Sequence, residues 1–259
     1  MKFDVFFKKI KSTLGLSFVL ARAEFKLRNE GSYLGILWYL LNPLLVFALL
    51  YVVFYDRLGN GIENYAAYLF LGIIMFNFFQ SSTIEATRSI ISEHSHLVKS
   101  LNFPRVSLII SIVTKGLFSH LLEVCLFFIF MFFWGINPLW IFFYFLVLLL
   151  FVPFVLGSCL ILSSLTVYFV DLENIWNFAV RIIWLATPLF YAIQGQTRLF
   201  YFNLSNPMYY FIELARSLVI YGLAPSALLV CGAVGSACLF LSAGYFIFYK
   251  LKAKLPELV

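Results

Sequence analysis

The chain has 259 residues, of which 63% are hydrophobic, 20% aromatic and only 12% charged, and its mean hydropathy is +0.97. That composition excludes a soluble globular domain and places almost the whole chain in a lipid bilayer. The net charge of +6 arises from Lys and Arg flanking apolar segments, so membrane topology accounts for it and no nucleic-acid partner is expected.

Residues 1–30 carry Phe3, Phe7, Ile10, Leu14, Phe18, Ala21 and Phe25 at a spacing of three to four, with Lys2, Lys9 and Lys11 off that stripe. This predicts a basic amphipathic helix lying in the inner interface. A signal peptide is the rival reading, disfavoured because Gly15 and Ser17 break a short apolar run and Arg22 falls in the would-be cleavage site. Residues 32–55 then carry no charge. At about 1.5 Å per residue they are long enough to cross a hydrocarbon core of roughly 30 Å. Lys2, Lys8, Lys9, Lys11, Arg22, Lys26 and Arg28 precede this span and only Arg57 closely follows it, which predicts a cytoplasmic N-terminus.

A second span is expected over residues 65–84. Residues 89–103 are polar, yet Ile90, Leu97, Val98 and Leu101 recur at helical spacing until Pro104 ends the pattern, so an amphipathic helix is expected between spans on the inner side. The third span is predicted over 106–134 and the fourth over 139–168, joined at Gly135, Asn137 and Pro138. The fifth, 175–193, contains Pro188, which should kink or break it near its outer end. Asn206-Pro207 opens a run, 206–222, too short to span comfortably, and it reads as an outer re-entrant helix. The sixth span, 225–249, ends in three lysines, placing the C-terminus in the cytoplasm as well. The fold expected is therefore an all-α integral membrane domain of six transmembrane helices, with an interfacial helix at its start and an outer re-entrant helix between spans five and six.

Several chemistries have no support in the sequence. There is no G-x-x-x-x-G-K-[ST] loop, no G-x-S-x-G elbow and no H-E-x-x-H pair, so neither ATP hydrolysis nor hydrolase or metal catalysis is expected of this chain. His94 and His96 are two apart, which on a helix points them away from one another, so no metal site is expected there. The cysteines sit in apolar runs and suggest no disulfide or metal cluster. Within the spans, Lys115, His120, Glu123 and Arg181 stand out, because charge at the bilayer centre is costly unless it faces protein or water. His120 and Glu123 are three apart and able to pair, either as a packing contact or as the lining of a polar pathway. The many aromatic residues suggest a conduit whose rings stack on sugars. Trp38, Tyr51 and Tyr191 are the candidates, set against an ordinary interfacial belt.

Several stretches in order resemble the membrane subunits of ABC exporters of O-antigen, capsule or teichoic-acid polysaccharides. They are the basic helix running into Ser32 to Trp38 and Asn42-Pro43, the loop with Leu97 to Ser100 and Phe103 to Arg105, Asp171-Leu172, Thr187 to Tyr191, and Asn206-Pro207 followed by Glu213 and Arg216. Val170 stands where the family pattern has Arg. The resemblance implies a homodimer in the bacterial cytoplasmic membrane, joined to an ABC ATPase subunit that holds ATP and Mg while this chain holds no cofactor. The cargo implied is a lipid-linked glycan. It further implies that Glu93, Leu97, Val98 and Leu101 lie on a coupling helix that docks on the ATPase, and that Asn206, Pro207, Glu213 and Arg216 form an outer gate. Arg22, Lys26 and Arg28 would attract the lipid phosphate, or else serve only as positive-inside anchors. Two other functions compete: a membrane enzyme acting on polyprenyl-linked sugars, and a proton-coupled carrier using Glu123 and His120.

Overall fold

The computed structural model describes residues 2–29, 33–35, 37–89, 105–169, 171–193 and 196–251, and within them the side chains of 2–10, 28, 29 and 60 are excluded. Among the described residues every regular element is helical. The predicted coupling residues Glu93, Leu97, Val98 and Leu101, together with Val170, lie outside them.

Helix α1 (Lys2–Asn29) packs along α4 (Val106–Phe133). Ser17 and Ala21, one turn apart, are buried in that contact, and Phe118 of α4 meets Phe18 and Phe25 edge-on at ring separations of 5.8 and 6.0 Å. Small residues on one face allow the backbones to approach while aromatic rings fill the flanks. Helix α2 (Leu37–Leu58) is the least covered of the span-length helices: Leu45, Leu49, Val52 and Val53 are exposed, an apolar surface suited to lipid. A turn at Gly59–Gly61 and Asn64 in the left-handed region, φ 53°, reverse the chain into α3 (Tyr65–Arg88). Asn tolerates that conformation better than most side chains.

Helix α3 is the axis of the bundle. Residues on all its faces are buried from Tyr65 to Thr87, with α2, α4, α5 and α6 packed around it. After α4, Gly135 (φ 69°) turns the chain. The Asn137 side chain accepts from Leu139 N, starting a short 3-10 turn at Pro138–Trp140 that leads into α5 (Ile141–Thr166). The closest helix pair is α5 with α9 (Ala227–Leu251). A Cβ on Gly157 would lie 2.3 Å from the Phe240 carbonyl carbon, and one on Gly244 would lie 2.4 Å from Gly157 O. Both positions need glycine because backbone meets backbone.

Five helices are long and apolar enough to cross a membrane: Leu37–Leu58, Tyr65–Arg88, Val106–Phe133, Pro138–Thr166 and Ala227–Leu251. Helix α6 (Leu172–Ala186) is shorter, at 15 residues, or about 22 Å of rise. It stops before Pro188, where Thr187 is extended at ψ 136°, because a proline disfavours helical backbone at the residue before it. Two short helices follow, α7 (Thr197–Leu204) and α8 (Pro207–Val219). Arg88 meets Glu173 and Tyr65 meets Phe190, so the bundle has a near end, carrying Arg88 and the start of α6, and a far end, carrying Tyr65 and Pro188.

Candidate functional site: a polar groove and a far-end clamp

In α3 the polar residues Asn77, Ser81, Glu85 and Arg88 recur at spacings of four, four and three, which puts them on one helix face. That face borders a cavity of about 430 Å3, closed by Trp38, Tyr39 and Asn42 of α2 and by Lys115 and Ser119 of α4. A second concavity shares Asn77, Ser81, Glu85 and Lys115 and adds Gln80 and Arg88. Together they form a polar groove running toward the near end.

Ion pairs organise this groove. Lys115 Nζ donates to Glu24 Oε2 of α1 at 3.0 Å and also to Glu85 of α3. Lys115 is 8% exposed, so its ammonium is held by two carboxylates in place of water, the condition under which a buried charge persists. Nearer the end of the bundle, Arg88 Nε donates to Glu173 Oε1 of α6 at 2.7 Å.

Above the triad is a closed polar network. Asn77 Nδ2 donates to Glu123 Oε1 at 2.5 Å. His120 Nδ1 lies 3.4 Å from Glu123 Oε2, and its Nε2 lies 2.6 Å from the Tyr144 hydroxyl. His120, Glu123 and Tyr144 are all buried, and the His120 ring also stacks on Phe78 at 5.0 Å. Their polar atoms are turned on one another, so this network joins α3, α4 and α5.

At the far end the predicted gate residues converge on the break after α6. Arg216 of α8 is wholly buried. Its Nη1 donates to Pro188 O at 2.7 Å and to Glu213 Oε1 at 2.6 Å. Its Nη2 donates to Leu189 O at 2.9 Å and Tyr68 O at 3.0 Å, and the guanidinium carbon sits 3.3 Å from the Tyr68 ring centre. Two hydroxyls complete the set: Tyr65 donates to Phe190 O at 2.9 Å and Tyr68 to Tyr191 O at 2.8 Å. Asn206 caps α8 by accepting from Met208 N and donates to Thr187 Oγ1 at 2.8 Å, with Pro207 in the first turn, where no amide hydrogen is missed. A chain that leaves its helix inside a bilayer exposes carbonyls with no water to bind them, and the planar five-donor guanidinium serves several at once. Gly72 of α3 makes room, since a Cβ there would lie 2.8 Å from Arg216 Nη2.

Other predicted residues scatter. Arg22 and Lys26 are exposed on α1. Trp38 lines the groove. Tyr51 belongs to a far-end ring cluster, 4.9 Å from Tyr55 and 6.1 Å from Tyr65, and the Tyr191 hydroxyl donates to Ala186 O at 2.7 Å. Arg181 is exposed midway along α6, in line with exposed Asn174, Phe178 and Leu185. Glu24, Glu85, Asn77, Tyr68 and Tyr144 were not singled out from sequence. The four-residue spacing of Asn77, Ser81 and Glu85 inside an apolar segment was the available signal. For Glu24 and Tyr144, nothing local foretells the partner.

Residues 16–220 match the family described as ABC-2 type transporter. The chain belongs to the ABC-2 type transporter membrane family. Two proteins of Klebsiella pneumoniae named O-antigen export system permease protein RfbA are similar to it. One is 30% identical over 71% of this chain and 73% of its own length, and the other is 27% identical over 97% and 99%. A Myxococcus xanthus protein of the same name is 30% identical over 70% of this chain and 69% of its own. As an ABC-2 family member the chain is a multi-pass transport subunit.

Proposed function

We propose that this chain is the permease subunit of an ATP-driven exporter that moves a lipid-linked polysaccharide, of O-antigen, capsule or teichoic-acid type, across the bacterial cytoplasmic membrane. The observation that carries the reading is Arg181. It is exposed nine residues into α6, about 14 Å from the near end, where facing hydrocarbon would cost at least about 2.5 kcal/mol. An exposed cation at that depth is accounted for if its side of α6 borders water or a polar cargo. The groove adds to this, because aromatic Trp38 and Tyr39 beside Asn42, Asn77 and Ser81 offer ring faces and amide or hydroxyl partners suited to sugars. The names of the three relatives point to the same cargo.

In this reading the near end is cytoplasmic, as are both termini, and α1 lies at the inner interface, where Arg22, Lys26 and Arg28 meet lipid phosphate. The six crossings are 32–55, 65–84, 106–134, 139–168, 175–193 and 225–249, the fifth being α6 with the turn after it. Helices α7 and α8 form the outer gate. Two copies of the chain enclose the path, and residues 89–103, through Glu93, Leu97, Val98 and Leu101, engage an ATPase subunit that holds ATP and Mg.

Reconstitution with an ATP-binding-cassette ATPase in proteoliposomes tests this. Transfer of a fluorescent lipid-linked glycan should require both chains and ATP, and Arg181→Glu should slow it by roughly tenfold, equivalent to about 1.4 kcal/mol. Glu123→Gln keeps a hydrogen-bonding group of the same shape and should leave ATP-driven transfer intact. Transfer by this chain alone, driven by a proton gradient and abolished by Glu123→Gln, would overturn the proposal in favour of a carrier.

A further inference from the structure

A third concavity, of about 320 Å3, lies at the far end beside the clamp, within the range of small-ligand sites, about 300 to 1,000 Å3. Tyr209 and Glu213 of α8 are four apart and so share a helix face. They form one part of its wall. Glu63, in the turn before α3, and Tyr221, just after α8, form another. The Tyr221 hydroxyl donates to Glu63 O at 3.3 Å and ties those two segments together.

The polar groups of this wall are left with unused capacity. Tyr209 is only 9% exposed, yet its hydroxyl has no partner among the described residues. That hydroxyl is not sealed in the protein, and it opens onto the concavity that Tyr209 lines. Glu63 is exposed and forms no ion pair among the described residues. Glu213 gives Oε1 to Arg216, while its Oε2 takes no donor among the described residues.

These groups define their complement. The Tyr209 O–H needs an acceptor, which an ammonium lacks, and the carboxylates accept only, so the occupant must also donate. A phosphate or an ionised carboxylate donates nothing and would meet Glu63 with no Lys or Arg among the described lining residues. A metal ion is disfavoured too, because no cluster of three His, Cys, Asp or Glu able to hold one occurs among the described residues. Groups that both donate and accept are hydroxyls. A pyranose carries several on one ring, and its C–H face suits an aromatic surface such as half-buried Tyr221.

We infer that this concavity is a subsite for one uncharged pyranose unit, whose hydroxyls donate to Glu63 and Glu213 and accept from Tyr209. The inference deepens the export reading and rests on it for the arrival of sugar at this face, where a unit of the emerging glycan is held against α8. Since Glu213 also pairs with Arg216, the occupied subsite borders the clamp.

The test uses the permease with its ATPase in nanodiscs and saturation-transfer NMR, with the methyl glycosides of glucose, galactose and mannose as probes. Transfer to at least one of them is expected. Tyr209→Phe removes one hydrogen-bonding group and no protein partner, so it should weaken that binding about fivefold with the unfolding midpoint unchanged. Glu63→Ala should weaken it roughly tenfold, a bond to a charged acceptor being stronger. The uronate and 2-amino forms of the bound glycoside should bind more weakly than the parent. Transfer to none of the three probes, or equal binding by Tyr209→Phe, would overturn the proposal. Stronger binding of the amino sugar, lost in Glu63→Gln, would overturn it in favour of a cation site. The probes need neither a lipid carrier nor ATP, so the two failures are distinct: glycoside binding without glycan transfer in proteoliposomes would sink the export reading alone, and transfer without glycoside binding would sink the subsite alone.

Discussion

Among the described residues three Lys, Arg or carboxylate side chains are buried, Lys115, Glu123 and Arg216, and each persists because its partners are fixed by neighbouring helices. Lys115 is held by Glu24 and Glu85, so Lys115→Met would remove the cation that both carboxylates share and should cost about 3 to 5 kcal/mol. Adding Glu24→Gln and Glu85→Gln should recover much of that loss in the midpoint of denaturant-driven unfolding in detergent, and no recovery would mean that the triad is not the cause. Arg216 differs in kind, since three of its partners are backbone carbonyls. A lysine there keeps the charge but has no planar fork, leaving at least one carbonyl unpaired. Arg216→Lys should therefore destabilise by about 1 to 3 kcal/mol, read in the same unfolding measurement, and a midpoint equal to that of the unaltered protein would argue against the clamp. Glu123 is the third, enclosed by His120 and Asn77, and its conservative replacement by Gln is the informative one.

Among elements, two irregularities matter more than the regular spans. The break after α6 follows from Pro188, and the cost of leaving the helix is offset by donors from α3 and α8, so α6, α3 and α8 are tied at one point. The α5–α9 pair is close because Gly157 and Gly244 meet. Gly157→Leu would drive a side chain into the Phe240 backbone and should cost about 3 kcal/mol, seen as loss of the monodisperse peak when the detergent-solubilised protein is heated. A peak as heat-resistant as that of the unaltered protein would show that α9 is free to move aside. Helix α1 is bound to α4 both by small residues and by the Glu24–Lys115 pair, so α1 is tied to the wall of the groove.

For the whole molecule, the polar groups of α3 lie in successive layers from Arg88 through Glu85 and Asn77 to Tyr68, with apolar packing between them. That arrangement places hydrophilic surface inside the membrane while leaving α2 and α9 largely apolar on the outside. In the proposed exporter the driving force comes from a second protein. Replacing both Leu97 and Leu101 with Asp should abolish co-purification with the ATPase subunit while the permease still reaches the membrane. Intact co-purification would remove residues 89–103 from the coupling role.

The sequence by itself determined the membrane character, five segments long and apolar enough to cross, the break at Pro188 and the short helix opened by Asn206-Pro207. These depend on apolar run length and on the local conformational limits of proline and asparagine, which need no knowledge of distant residues. It also marked Lys115, His120, Glu123 and Arg181 as exceptional, because ionisable groups in apolar runs are costly wherever they lie, while Arg216 was named only through the family resemblance. Only the tertiary structure decided what those groups bind. The Lys115 partners are 91 and 30 residues away in the chain, and Arg216 reaches Tyr68 across 148. Such pairings are set by which helix faces meet, and periodicity within one segment carries no information about the segment it will pack against.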